Sequence, residues 1–220
     1  MTKLMFLLWG ERLLVQDPDW HARLASAGVR RLQVNIDDEP VADALRLQTF
    51  DEPVRAVVSG WTDADVADAV AAVAEAAPRV AGWVVDEHRP LDPPESADGT
   101  RADALANVAI LRRPGELGRD EWLHRWLEHH TPVAIETQAT FGYLQNVVVE
   151  PVTTDAPRVD ALVEELFPPE AIHDMHAFYG SGRDDAELSR RMTRLMESVA
   201  TFGADRDLDL VPTSRYLYAL

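Results

Sequence analysis

The groups best placed for chemistry in this sequence lie between Trp126 and Asn146. His130 follows Trp126 by four residues and Leu127 by three, so at helical spacing it extends the apolar stripe begun by Trp122 and Leu123. An imidazole, with an unperturbed pKa near ~6.5, suits general acid or base work. Without any catalytic role, the same residue closes a helix and offsets its dipole. His129, one residue further round, turns toward solvent. Tyr143, Gln145 and Asn146 belong to an apolar run, where strand alternation sends Tyr143 and Gln145 to one face and Asn146 to the other. A phenol and an amide on one concave face suit a polarised carbonyl or an enolate. They equally suit a buried hydrogen-bonded pair that only satisfies the core.

Other residues stand as outer candidates. Trp126, Trp122, Trp83 and Trp61 suit either the aromatic wall of a ligand pocket or plain core packing. His88, after Asp86-Glu87, is placed to reach a barrel mouth from the other half of the chain, or is plain surface. His173 and His176 stand three apart on a short helix, an allowed two-ligand geometry, but no third ligand of matching spacing follows, so no metal is expected. Gly180-Ser181-Gly182 joins two helices and follows no strand, which leaves a nucleotide cradle unsupported. No Gly-x-Ser-x-Gly elbow is present.

The elements that must hold these groups can be read around them. Leu105–Arg112 is a buried strand broken by Pro114-Gly115. Arg119–His130 is a helix with Asp120 and Glu121 in its first turn, and Pro132 closes it. Tyr143–Val149 is a second strand. Pro157–Phe167 fits a strand and also a helical period. Pro168–Phe178 is a short helix, and Asp184–Phe202 a long one with Leu188, Met192, Leu195, Met196 and Val199 facing inward. Leu208–Leu217 is the closing strand.

The first half carries the same order. Lys3–Trp9 is a buried strand, Asp17 caps a helix with Pro18 at its first position, and Gly28 ends that helix. Val29–Ile36 and Val54–Gly60 are strands, separated by an acidic connector, Asp37–Asp51, that shows no clear element. Thr62-x-x-Asp65 resembles a capping box before an alanine-rich helix, with Val66, Val70, Val73 and Ala77 on its buried face. Val80–Val85 is the fourth strand. The order β-α-β-β-α-β is the ferredoxin-like split unit. Leu91–Ala104, with two prolines and a glycine, reads as an exposed linker. Residues 1–92 and 104–220 are therefore expected to be two ferredoxin-like domains joined by linker 93–103. Arg31-Leu32-Gln33 can be laid against Tyr143-Leu144-Gln145, as in a duplicated unit whose first copy has lost the tryptophan-bearing helix.

Four motifs in order resemble the EthD-type family of dimeric α/β-barrel proteins: Leu111-Arg112-Arg113-Pro114-Gly115, Trp126 through His130-Thr131-Pro132, Tyr143-Leu144-Gln145-Asn146, and Leu210-Val211-Pro212-Thr213-Ser214. Together they cover about half of the chain. The resemblance implies that Pro157–Phe167 is a strand, and that a polar group near the end of the helix or on the sheet projects into a pocket between sheet and helices. It favours Gln145 near that pocket. Trp126, Asn146, Trp83 and His88 are the residues expected to contact a ligand. In such proteins two chains supply two sheets. Here both are in one chain, so an α+β architecture of two tandem ferredoxin-like units, forming a barrel within the chain, is expected, as a monomer or a homodimer.

Bulk properties narrow the function. At 220 residues and 46% hydrophobic content the chain can bury a core. No run of about 18 apolar residues exists to span a membrane, and the opening ten residues lack a cleavable signal. Zero cysteines exclude disulfides and thiolate chemistry and fit a cytoplasmic location. A net charge of −17, from 38 acids and 21 basic residues, repels phosphate backbones and argues against nucleic-acid binding. Proteins similar in fold include cyclases, decarboxylases, dehydratases, isomerases and haem-degrading monooxygenases. The resemblance thus implies a small, hydrophobic, oxygenated ligand and proton transfer without an organic cofactor, using His130 as acid or base with Tyr143 or Gln145 as oxyanion donor. The alternatives are a non-catalytic binding or accessory protein, and haem held by His130 or His176.

Overall fold

The structure is a computed structural model that describes residues 1–220. The first unit runs β1 (Thr2–Trp9), α1 (Pro18–Ser26), β2 (Val29–Ile36), β3 (Ala56–Thr62), α2 (Val66–Ala74) and β4 (Arg79–Leu91). β5 (Asp98–Arg101) intervenes. The second unit runs β6 (Leu105–Leu111), a helix in three parts, β7 (Gly142–Pro151), β8 (Ala161–Phe167), α5 (Met175–Tyr179), α6 (Asp185–Thr201) and β9 (Asp209–Ala219). Each unit orders its four strands in the ferredoxin-like way, β2-β3-β1-β4 and β7-β8-β6-β9. β4 pairs antiparallel with β7 and β2 with β9, so eight strands close on themselves. Two tandem units therefore form one α/β barrel inside a single chain, and closure leaves no central strand edge exposed.

Closure sorts side chains by strand parity. Inward at one end lie apolar residues of both units, among them Met5, Leu7, Trp83, Val108, Ile110 and Val211. Toward the other end the interior is polar. Lys3 Nζ donates to Glu87 Oε1 at 2.6 Å and to Asn146 Oδ1 at 2.7 Å. Glu164 accepts from Gln33 and Asn35 and lies 3.1 Å from the Arg215 guanidinium. Trp61 lies between the cations of Lys3 and Arg31. Burial lowers the Lys3 pKa, against the opposing pull of the Glu87 carboxylate. The two sheets cover each other as expected, and side chains of both units meet in the space between them.

Several expectations are corrected. The linker is not free: β4 runs on to Leu91, and β5 pairs with β9, because extended backbone beside an open stretch of β9 satisfies its own polar groups there. Thr62 is not a cap. It ends β3, donating to Gly28 O, and Asp65 caps α2 by accepting from Ala67 N. The residue register proposed between β2 and β7 is off by one. Gln33 points into the barrel and Gln145 out to the helix, and a one-residue slip exchanges faces. Met192 and Met196, expected inward on α6, are 37% and 50% exposed, leaving Leu195 as the buried anchor. The segment Pro168–Phe178 is split into a 3₁₀ turn at Pro169–Ile172 and α5.

The largest correction concerns Pro132. It does not end the helix, which runs α3 (Arg119–Leu123), a π-helical stretch (His124–His130) and α4 (Thr131–Thr137). Proline lacks an N–H and its ring crowds the carbonyl of the preceding turn. The wider turn relieves that conflict: Thr131 N reaches back to Trp126 O, and Thr131 Oγ1 donates to the same carbonyl at 3.1 Å.

Candidate functional site

The second unit's outer sheet face does not meet its helices everywhere. Between β6, β7 and β8 on one side and the π segment, α5 and α6 on the other lies a cavity of about 690 Å³, lined by 31 residues of which 20 are hydrophobic. Its far wall comes from the first unit. The connector after β2, unassigned from sequence, crosses to the second unit, where Leu47 and Leu210 exchange backbone hydrogen bonds. Asp209 fixes it by accepting from Thr49 N and Oγ1, Phe50 N and Arg112. Those donors hold the Asp209 pKa below its ordinary value, although burial alone acts the other way. Leu45, Leu47, Met175 and Met196 are exposed, and each also lines the cavity.

One row of polar side chains crosses the floor. Tyr143 on β7 pairs with Glu165 on β8, and Glu165 pairs with Asn107 on β6, so the three stand side by side on one face. All three line the cavity. Desolvation, with no nearby cation, pushes the Glu165 carboxyl up to about 7. Burial raises the Tyr143 phenol well above its ordinary value, and the neighbouring Glu165 charge adds to this. The same two causes raise Tyr179. Gln138, at the end of α4, reaches Glu165 Oε1 at 3.1 Å and Ala134 O at 3.2 Å when its amide nitrogen faces them, the orientation that satisfies both ends. Asn107 is 2% exposed and its Oδ1 has no hydrogen-bond partner. A buried amide oxygen left unpaired costs about 1–3 kcal/mol, and Asn107 is among the residues that line the cavity.

The sequence-selected residues divide between this cavity and other places. His130, Trp126 and Tyr143 line it. His130 is buried, its Nδ1 is 3.0 Å from Ser198 Oγ and its ring lies against Phe202. Burial lowers its pKa to about 4, so it is neutral near pH 7. Gln145 shares Tyr143's face but is covered by the helix, donating to Thr131 Oγ1 at 2.8 Å. Asn146 and Trp83 point into the barrel interior, Asn146 donating to Leu162 O and Trp83 packed among the inner apolar residues. His88 is exposed on β4 beside Gln145 and lines no part of the cavity. His176 has Nδ1 2.6 Å from Ser181 Oγ and Nε2 3.3 Å from Asp185, and no group of three or more His, Asp or Glu side chains is arranged to hold a metal ion.

Glu165, Asn107 and Gln138 were missed in the sequence. The signal for the first was present: Glu164-Glu165 sits inside an apolar strand, so one acid must face each side. Glu164 meets Arg215 in the barrel, which leaves Glu165 to the cavity. Asn107 likewise interrupts Leu105–Leu111.

No protein-family model matches the chain, and no curated protein matches it. Solved structures do. One, described as an anthrone oxidase-like protein, superposes with a TM-score of 0.53 over 99% of this chain and 92% of its own, at 8% identity. Another, a putative monooxygenase from Fusobacterium nucleatum, gives 0.50 over 99% and 93%, at 7% identity. The fold is shared across the full length. No helix of the chain is long and apolar enough to cross a membrane.

Proposed function

We propose that the protein binds a small, hydrophobic, oxygenated molecule in the second unit's cavity and moves a proton on it, with Glu165 as the acid–base group. The observation that carries this is a carboxyl held near pKa 7 in a mostly apolar cavity, beside an amide with an unpaired buried oxygen. A base works best with a pKa near the working pH. Glu165 takes the proton from an acidic C–H or O–H of the ligand. Tyr143, kept protonated by burial, donates a hydrogen bond to the oxygen that gains charge. The Asn107 oxygen accepts from a ligand hydroxyl and sets its orientation. His130, neutral in this reading, contributes a polar wall beside Trp126 and serves as a secondary candidate for the proton. Gln145 acts only through Thr131 and the helix it steadies.

The reading fits the EthD-type resemblance, which places a pocket between sheet and helices, and the structural neighbours described as an anthrone oxidase-like protein and a putative monooxygenase. On the same grounds we parse the chain as units 1–92 and 104–220, without a second chain needed to complete the barrel. The exposed Leu and Met rim gives an apolar ligand its entry. The test begins by extracting the purified protein and identifying bound molecules by mass spectrometry. Incubation of that molecule in deuterated buffer with the protein is then expected to exchange one of its hydrogens, and Glu165→Gln to abolish the exchange while retaining binding. Wild-type protein that binds its ligand but exchanges no hydrogen would leave a binding or accessory protein in place of an enzyme.

A further inference from the structure

His124 and His129 lie on the solvent side of the π-helical stretch, away from the cavity, and neither lines it. On an α-helix, residues five apart diverge by about 140°, since five residues at 3.6 per turn advance roughly 500°. The π turn forced at Pro132 removes that divergence, because its repeat joins residues five apart. The two imidazole Nε2 atoms consequently stand 3.0 Å from each other, with the rings 87° apart in plane. The ring centroids are 4.6 Å apart, less than 3.0 Å plus two ring radii, so the rings are canted to one side and not set nose to nose. Glu128 Oε2 is 3.3 Å from His124 Nδ1. A carboxylate on Nδ1 holds the proton there and leaves Nε2 free as a ligand, the usual outer-shell arrangement behind a metal-bound histidine.

The geometry points to a second, surface site: a two-histidine chelate for a divalent first-row transition metal, built from His124 and His129 with Glu128 behind it. With metal–nitrogen bonds of about 2.0–2.1 Å, a nitrogen separation of 3.0 Å subtends roughly 94° at the ion. That angle suits adjacent corners of a square or octahedron more than a tetrahedron. The site therefore favours Cu(II) and Ni(II) over Zn(II), with water completing the coordination, and the general affinity order of such ions for nitrogen ligands, which peaks at Cu(II), points the same way for copper. The proposal is independent of the cavity and its chemistry.

The full-length protein, stripped with chelator, is titrated with Cu(II), Ni(II) and Zn(II) by calorimetry, and the copper form is examined by electron paramagnetic resonance. One equivalent of Cu(II) is expected to bind most tightly, with splitting from two imidazole nitrogens. His124→Ala and His129→Ala are each expected to weaken binding by at least about tenfold, and Glu128→Gln by a similar factor through the outer shell. His88→Ala, which alters a lone exposed histidine, is expected to change nothing. All four positions are exposed, so the variants should melt as the wild type does without metal. Wild-type affinity in either single histidine variant, loss of the site in His88→Ala or His176→Ala, or a copper spectrum without two nitrogen ligands would overturn the assignment.

Discussion

Replacing Glu165 by Gln keeps the shape of the side chain and removes its charge, so it reads directly whether this carboxyl is held neutral by its surroundings. The folded-state pKa is raised from 4.5 to about 7. Below about pH 4.5 the group is protonated in both the folded and the unfolded chain and contributes nothing to pH dependence. Between 4.5 and 7 the unfolded chain gives up the proton while the folded chain keeps it, so stability falls as pH rises. Above 7 both states are ionised and the penalty is constant. A shift of about 2.5 units at about 1.36 kcal/mol each gives roughly 3 kcal/mol, a ceiling because the cavity admits solvent beside the carboxyl. His130 acts in the opposite sense: its pKa is lowered to about 4, so the unfolded chain binds the extra proton and stability rises between about 4 and 6.5. The two slopes offset each other in the wild type. Urea unfolding of wild type and Glu165→Gln, from pH 4 to 8.5, separates them because the His130 contribution is common to both. The variant is expected to gain on the wild type by up to about 3 kcal/mol between pH 4.5 and 7.5, and to show an uncovered rise from His130. A difference between the two proteins that does not change with pH would refute the raised carboxyl, and with it the proposed base.

Three further substitutions probe what holds the cavity. Thr131→Val leaves the Gln145 amide nitrogen without its partner and the Trp126 carbonyl with its backbone bond alone, and is expected to cost about 1–3 kcal/mol in chemical denaturation. Glu164→Leu leaves Arg215, 2% exposed inside the barrel, with only Glu95 and the Gln33 amide oxygen, takes the acceptor from Gln33 and Asn35, and is expected to destabilise by about 3 kcal/mol, where a surface ion pair would cost under about 1. Gly203→Ala places a methyl 2.2 Å from Pro114 Cγ at a residue with φ +79°, so a loss of about 2 kcal/mol or more is expected in thermal melts.

The barrel was legible in the sequence because each unit repeats one order of strands and helices, and because apolar runs such as Lys3–Trp9 can only be buried on both faces. The cavity lining was legible in part. His130, Trp126 and Tyr143 follow from helical spacing and strand parity, both of which survive in the structure. Pro132 misled because its local effect, breaking an α-helical ladder, can be absorbed by a change of helical repeat that no window of residues reports. The charged residues of the barrel interior were hidden for a different reason. Lys3, Glu87, Glu164 and Arg215 are far apart in sequence; the sheet of each unit brings its own ion pair together, and closure adds Asn146 to Lys3 and Gln33 and Asn35 to Glu164. The same holds for the connector after β2, whose role depends on Asp209 and Leu210, more than 150 residues away.

The two units share a topology, yet the cavity of about 690 Å³ lies in the second, and the reason lies in how each helix meets its sheet. In the first unit α1 seats Trp20 against α2, with Nε1 donating to Ala72 O at 2.9 Å, and Leu4, Phe6, Leu24 and Leu32 fill the remaining space. In the second, the π turn at Pro132 sets the helix on a wider repeat, and Trp126 and His130 stand over the sheet as a wall of the cavity. The space beneath is not closed by the second unit alone. The connector of the first unit supplies the far wall through residues such as Leu45, Leu47 and Thr49, tied down by three hydrogen bonds from Thr49 and Phe50 to Asp209. Tandem linkage therefore does more than supply a second sheet: it frees one unit's connector to become a wall of the other's cavity, which a symmetric pair of identical chains would build twice.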